Sequence, residues 1–249
     1  MHRSVFTHSN FILTIGALVL IVAAEVIRLN TPYGTAFTLG AMLPYIMAAV
    51  IIHRRIRIDH PFQDFGIANT ITLARLVLTC LLAGLAAELA LTNGHLSEPY
   101  PGFFLGIAAV SLVLDGLDGL LARRLGTESA FGARFDMEVD AFQILVLAVI
   151  AMALSKAGWW VLLSGALRYA FVAAGLFNTA LNRPLLPSWR RKCIAVVQNG
   201  VLVMLLAPAL VPPWSEYAAA GALALLIYSF AADLIWLLGK GSHVRHTLT

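Results

Sequence analysis

Four aspartates, Asp115, Asp118, Asp136 and Asp140, fall in one stretch of an otherwise apolar chain, DGLDGLLARRLGTESAFGARFDMEVD. On a helix, residues three or four apart share a face, so Asp115 pairs with Asp118 and Asp136 with Asp140. The run GFFLGIAAVSLVL leads into Asp115 and AFQILVLAVIAMAL follows Asp140. The acids therefore belong at the inner ends of two membrane helices joined by a short basic turn. Charged groups at membrane depth are costly and face a cavity, a partner or an ion. Four converging carboxylates repel one another unless cations lie between them, and their hard oxygens suit Mg²⁺, Mn²⁺ or Ca²⁺. The plainer alternative is two polar helix ends whose acids pair with Arg123, Arg124 and Arg134. Two helix-spaced pairs with small residues beside them favour a two-metal site instead.

Asp115, Asp118, Gly119, Ala122, Arg123, Gly132, Asp136 and Asp140 match, without a gap, the signature of the CDP-alcohol phosphotransferases. The chain thus resembles the integral-membrane family that makes phospholipids from CDP-diacylglycerol or CDP-alcohols. The resemblance implies that the four aspartates hold two divalent ions, Mg²⁺ or Mn²⁺, and that Asp140 also deprotonates an acceptor alcohol. Elementary chemistry agrees. Two ions about 3.5–4 Å apart polarise a pyrophosphate and stabilise a leaving phosphate. Gly119 and Ala122 let a nucleotide approach the helix backbone, and Arg123 offers a fork of donors to phosphate. Gly132 completes the set.

The elements that position these residues follow from composition. Of 249 residues, 60% are hydrophobic, and the mean hydropathy is +0.84; soluble domains are about 45–50% apolar. An all-α, polytopic membrane bundle is expected. The basic residues cluster between apolar spans rather than on one solvated face, which argues against nucleic acid and for membrane topology. Cys80 and Cys193 read as small apolar fillers, not a disulfide framework.

Apolar runs predict eight helices, near 10–28, 35–53, 68–91, 103–122, 134–155, 158–180, 193–211 and 216–238. Each approaches the ~20 residues that cross a bilayer. The first run is too long for a signal-peptide core and reads as a retained span. With the N-terminus inside, His53 to Arg57, Arg123, Arg124, Arg134, Arg183, Arg190 to Lys192, Lys240 and Arg245 all face the cytoplasm, and only Arg28 and Lys156 lie outside. The positive-inside rule then puts the acids at the cytoplasmic face of a bacterial-type inner membrane.

Between the second and third spans, HRRIRIDHPFQDFG is expected to lie along the inner membrane surface, with Ile56, Ile58, Phe62 and Phe65 dipping into lipid. A surface helix precedes the six-helix core in the family that the motif resembles, so the likeness covers about residues 54–240. Residues 1–53 form a two-span extension and 241–249 a tail. Relatives commonly dimerise, which makes a homodimer an expectation.

Asn69, Thr72 and Arg75 recur every three residues at the start of the third span and share one helix face. In relatives an Asn, a Thr and an Arg at these intervals border the nucleotide; polar capping with a snorkelling Arg is the alternative. Arg168 must find an acid across the bundle or bind an anion, and Asp233 is a candidate partner. Relatives hold the acceptor's phosphate with basic residues from this region, so Arg168 and Lys192 are candidates for acceptor binding. Ile194 and Ala141 stand where relatives that use phosphorylated acceptors carry cations. Glu138, off the face of Asp136 and Asp140, reads as a contact to a neighbouring helix. No histidines pair at zinc spacing.

The expected activity is transfer of a phosphatidyl group from CDP-diacylglycerol to an alcohol with release of CMP. A phosphatidylglycerophosphate synthase using glycerol 3-phosphate is the alternative within the class. A cation transporter is the alternative outside it, but polar residues do not thread the outer halves of the spans.

Overall fold

A computed structural model describes residues 2–59, 65–92, 102–125, 129–177 and 188–243, with the side chains of 2–8, 57–59, 118, 120, 122, 123, 125 and 238–243 left aside. Every regular element among them is helical: α1 (His2–Leu29), α2 (Thr35–Asp59), α3 (Ile67–Leu91), α4 (Phe103–Leu125), α5 (Ala130–Ala153), a 3₁₀ turn (Trp159–Leu162), α6 (Leu163–Phe177), α7 (Trp189–Leu205) and α8 (Trp214–His243). The protein is a polytopic helical bundle. Five stretches among the described residues, in α1, α2, α3, the 3₁₀ turn with α6, and α8, are long and apolar enough to cross a membrane. Eight α-helices stand among the described residues where the apolar runs predict them. Among the described residues of α4, Phe103–Leu117 is an apolar run, and the first half of α5 carries Arg134, Asp136, Glu138 and Asp140.

α3 is the axis of the bundle. It packs on α1, α2, α4 and α5, while α5 in turn packs on α6 and α7, and α8 closes on α7. The apolar stretch of α3 is 72% buried, against 17% for α1 and 22% for α2, which turn wide apolar faces outward. Small residues allow this approach, as in other membrane helix pairs. A Cβ on Gly84 would lie 2.6 Å from the Phe37 carbonyl oxygen, and one on Gly40 would lie 2.4 Å from Ala87 Cβ. No side chain fits either place without moving backbone.

At the end of α3 remote from the acids, Tyr33, Phe37 and Phe104 form an aromatic cluster with centroids 5.4–6.2 Å apart. Beside it, Glu88 is buried and accepts a hydrogen bond from the Gly34 amide at 3.0 Å, fastening the α1–α2 connection to the core. Burial, then the Glu88 charge, push the Tyr33 hydroxyl up to about 12. Lys156, buried between α5 and the 3₁₀ turn, donates to the carbonyls of Ala207, Pro208 and Leu210 at 3.2, 3.3 and 2.6 Å, satisfying backbone acceptors just past α7.

The expected surface segment differs from its reading. α2 continues through the basic run to Asp59, and Ile56 and Phe65 are 3% and 0% exposed, inside the protein rather than in lipid. An apolar residue beside a basic run faces protein or lipid with the same periodicity, so the pattern alone did not distinguish them. Ile58 and Phe62 lie outside the described side chains.

Candidate active site

The acids converge through three helices. Phe131 and Phe135, one turn apart on α5, stack at 5.9 Å and meet Phe65 at 6.3 and 6.5 Å. This cluster clamps the start of α5 against the segment leading into α3. Ser129 caps α5 by accepting from the Gly132 amide at 2.9 Å. A Cβ on Gly132 would stand 2.8 Å from Asn69 Oδ1, so the glycine is what lets α3 and α5 close at this height. Asn69 donates to the Phe65 carbonyl at 2.5 Å and Thr72 to the Ala68 carbonyl at 3.1 Å. Both side chains thus serve the first turns of α3, beside the acids.

With α3 and α5 so fixed, Arg75 reaches three carboxylates. Its guanidinium stands 2.7 Å from Asp115 and 2.5 Å from Asp136, and pairs with Asp140 as well. The Arg75 side chain is fully enclosed, whereas Asp115, Asp136 and Asp140 are 21%, 36% and 33% exposed. The acids therefore keep a side open to approach that Arg75 does not have. One oxygen from each of the three lies within 4.8 Å of the others. Ligands on opposite sides of a hard cation at about 2.0–2.6 Å are separated by about 4–5 Å, so this all-oxygen set fits a divalent ion. The charges agree, since one guanidinium cannot neutralise three carboxylates.

Asp115, Asp136 and Asp140 are thus brought together around Arg75, with Asn69 against Gly132 one turn before Asp136 and Thr72 three residues before Arg75. Asp118, Ala122 and Arg123 lie on α4, but their side chains fall outside the described residues; Gly119 is half-buried one turn after Asp115. Arg168 pairs with Glu138 at 2.6 Å rather than with Asp233. The reason is positional: α6 packs on α5, while Arg190 and Arg191 of α7 reach Asp233 at 2.5 and 3.3 Å. Glu138 turns to this neighbouring helix, away from the other acids. Lys192 is exposed, its Nζ 5.9 Å from the Trp189 ring.

Sequence reasoning missed a polar layer one turn deeper. The fully buried Gln143 accepts from Ser111 at 2.6 Å and donates to Asn199 at 3.2 Å, with the Thr79 hydroxyl oxygen 3.4 Å from its amide oxygen. The available signal was a lone Gln in an apolar run, three residues past Asp140, in register with Thr79 and Ser111 on their own helices.

The family model of the CDP-alcohol phosphatidyltransferases matches residues 65–231, which is 167 of the 249. No protein of curated function and no solved structure matches the chain.

Proposed function

Because the chain belongs to the CDP-alcohol phosphatidyltransferase family, a family of phosphatidyl-transferring membrane proteins, we propose that it moves a phosphatidyl group from CDP-diacylglycerol to an alcohol and releases CMP. The observation that carries this reading is the meeting of Asp115, Asp136 and Asp140 within 4.8 Å at one height of the bundle. Held by Asp115, Asp118, Asp136 and Asp140, two Mg²⁺ or Mn²⁺ ions would supply charge neutralisation for the pyrophosphate and the departing CMP.

The chain's own residues do the rest. Asp140 accepts the proton of the acceptor hydroxyl as that oxygen attacks the β-phosphorus. The new P–O bond forms while the bond from β-phosphorus to the bridging oxygen breaks, and CMP leaves with that electron pair. Arg75 holds Asp136 and Asp140 toward a common point, so the base is oriented before substrate arrives. Arg123 serves the phosphates, and Gly119, Ala122, Gly132, Asn69 and Thr72 border the nucleotide. Apolar outer faces of the helices leave the two acyl tails in lipid.

Residues 54–240 make up this catalytic unit, residues 1–53 an added hairpin and 241–249 a tail, with the site on the cytoplasmic side of the plasma membrane. A phosphorylated acceptor such as glycerol 3-phosphate would recruit Arg168 and Lys192; the ion pair of Arg168 with Glu138 would first have to open. Asp140→Asn is expected to insert and fold yet release CMP about 10³-fold more slowly. Near-normal CMP release from CDP-diacylglycerol by the purified variant would remove the base assignment. A chain that releases no CMP with any alcohol but moves Mn²⁺ across vesicles would instead be a transporter.

A further inference from the structure

The buried layer around Gln143 is joined to the Arg75 and acid cluster by register on three of the four helices that contribute to it, α3, α4 and α5. Ser111 precedes Asp115 by four residues on α4, Gln143 follows Asp140 by three on α5, and Thr79 follows Arg75 by four on α3. Thr79, Ser111 and Gln143 are 0% exposed and Asn199 is 4%. The Thr79 hydroxyl donates its one proton to the Arg75 carbonyl at 2.9 Å, which ties the layer to the helix turn that carries the guanidinium.

The packing gives this layer a task. Among the described residues α4 packs on α3 and α7, and α5 packs on α3, α6 and α7, so the two acid-bearing helices meet mainly through shared neighbours. Yet Asp115 comes from α4 and Asp136 and Asp140 from α5. Ser111 of α4 donates directly to Gln143 of α5 at 2.6 Å, a buried side-chain bond between the two helices. A helix free to turn about its axis by one residue swings a side chain by about 100°. Such a turn of α4 would carry Asp115 off the shared point.

We infer that Ser111 and Gln143 are positioning residues: their hydrogen bond sets the rotation of α4 against α5 so that the acids of both helices address one divalent site. Asn199 joins the same amide from α7, a helix that brings no acid to the cluster, and therefore steadies the layer without aiming a ligand. The inference rests on the metal reading given above. It adds residues that touch neither ion nor substrate.

The test is Mn²⁺ titration of the purified full chain, followed by electron paramagnetic resonance, with thermal unfolding measured in parallel. Ser111→Ala is expected to weaken Mn²⁺ binding about tenfold, as loss of an orienting hydrogen bond behind a ligand does. Asn199→Leu is expected to lower the unfolding midpoint comparably while changing Mn²⁺ affinity less than about twofold. Equal weakening in both variants, or unchanged affinity in Ser111→Ala, overturns the positioning role and leaves the metal site standing. Should Ser111→Ala fail to fold, Ser111→Cys, which keeps the size with a weaker donor, carries the same comparison. Absence of Mn²⁺ binding by the unmodified chain would overturn the metal site itself, and this inference with it.

Discussion

The two ends of α3 bury opposite charges and put them to different use. Arg75 and Glu88 are thirteen residues apart, about 20 Å along the helix. Each is enclosed, at 0% and 7% exposure. Glu88 meets a backbone amide and holds the connection between α1 and α2. Arg75 meets three carboxylates from two other helices, all partly open to approach. One buried charge completes a joint. The other sits among groups that outnumber it, and such a cluster can admit further cations.

The largest effect expected from breaking this contrast is in Arg75→Ala. Removing one partner of a buried ionic cluster costs about 3–5 kcal/mol, and the exposed acids are then left to repel one another. Thermal unfolding in EDTA should show a steep loss, and added Mn²⁺ should raise the midpoint by more than it does in the unmodified chain. An equal Mn²⁺ shift in both would mean that Arg75 and the ions do not share the same carboxylates.

Gly84→Leu comes next, at the opposite end. Its Cβ would press on the Phe37 carbonyl oxygen at 2.6 Å, and forcing α2 away should cost about 1–3 kcal/mol. Phosphatidyl transfer per folded molecule should survive, because the acids are held by α3, α4 and α5. Loss of turnover in folded Gly84→Leu would show that the α1–α2 hairpin takes part in catalysis. The smallest effect is expected from Glu88→Gln, which keeps an acceptor for Gly34 and should cost about 1 kcal/mol. Its Mn²⁺ response should equal that of the unmodified chain, the sharpest contrast with Arg75→Ala.

Much of this was legible before any coordinates. Acids at spacings of three and four, bracketed by apolar runs, announce shared helix faces because helical periodicity is local. The partners of those acids were harder to see. Arg75 joins Asp136 across 61 residues and Asp140 across 65, and no spacing rule reaches that far. Arg168 had two acids to choose between, and only the packing of α6 on α5 settles that Glu138 is the nearer. Gln143 stands in an apolar run and reads as an isolated polar residue until Ser111, Thr79 and Asn199 surround it. Ile56 and Phe65 look lipid-bound from pattern alone, since lipid and protein interior select the same side chains.

The acids of α4 and α5 are held to share divalent ions, and counting bound Mn²⁺ tests this most directly. Purified protein, freed of metal and titrated with Mn²⁺ in the presence of CDP, should bind two ions per chain, and Asp136→Ala should lose both. Undiminished binding by Asp136→Ala, or no binding by the unmodified chain, would contradict it.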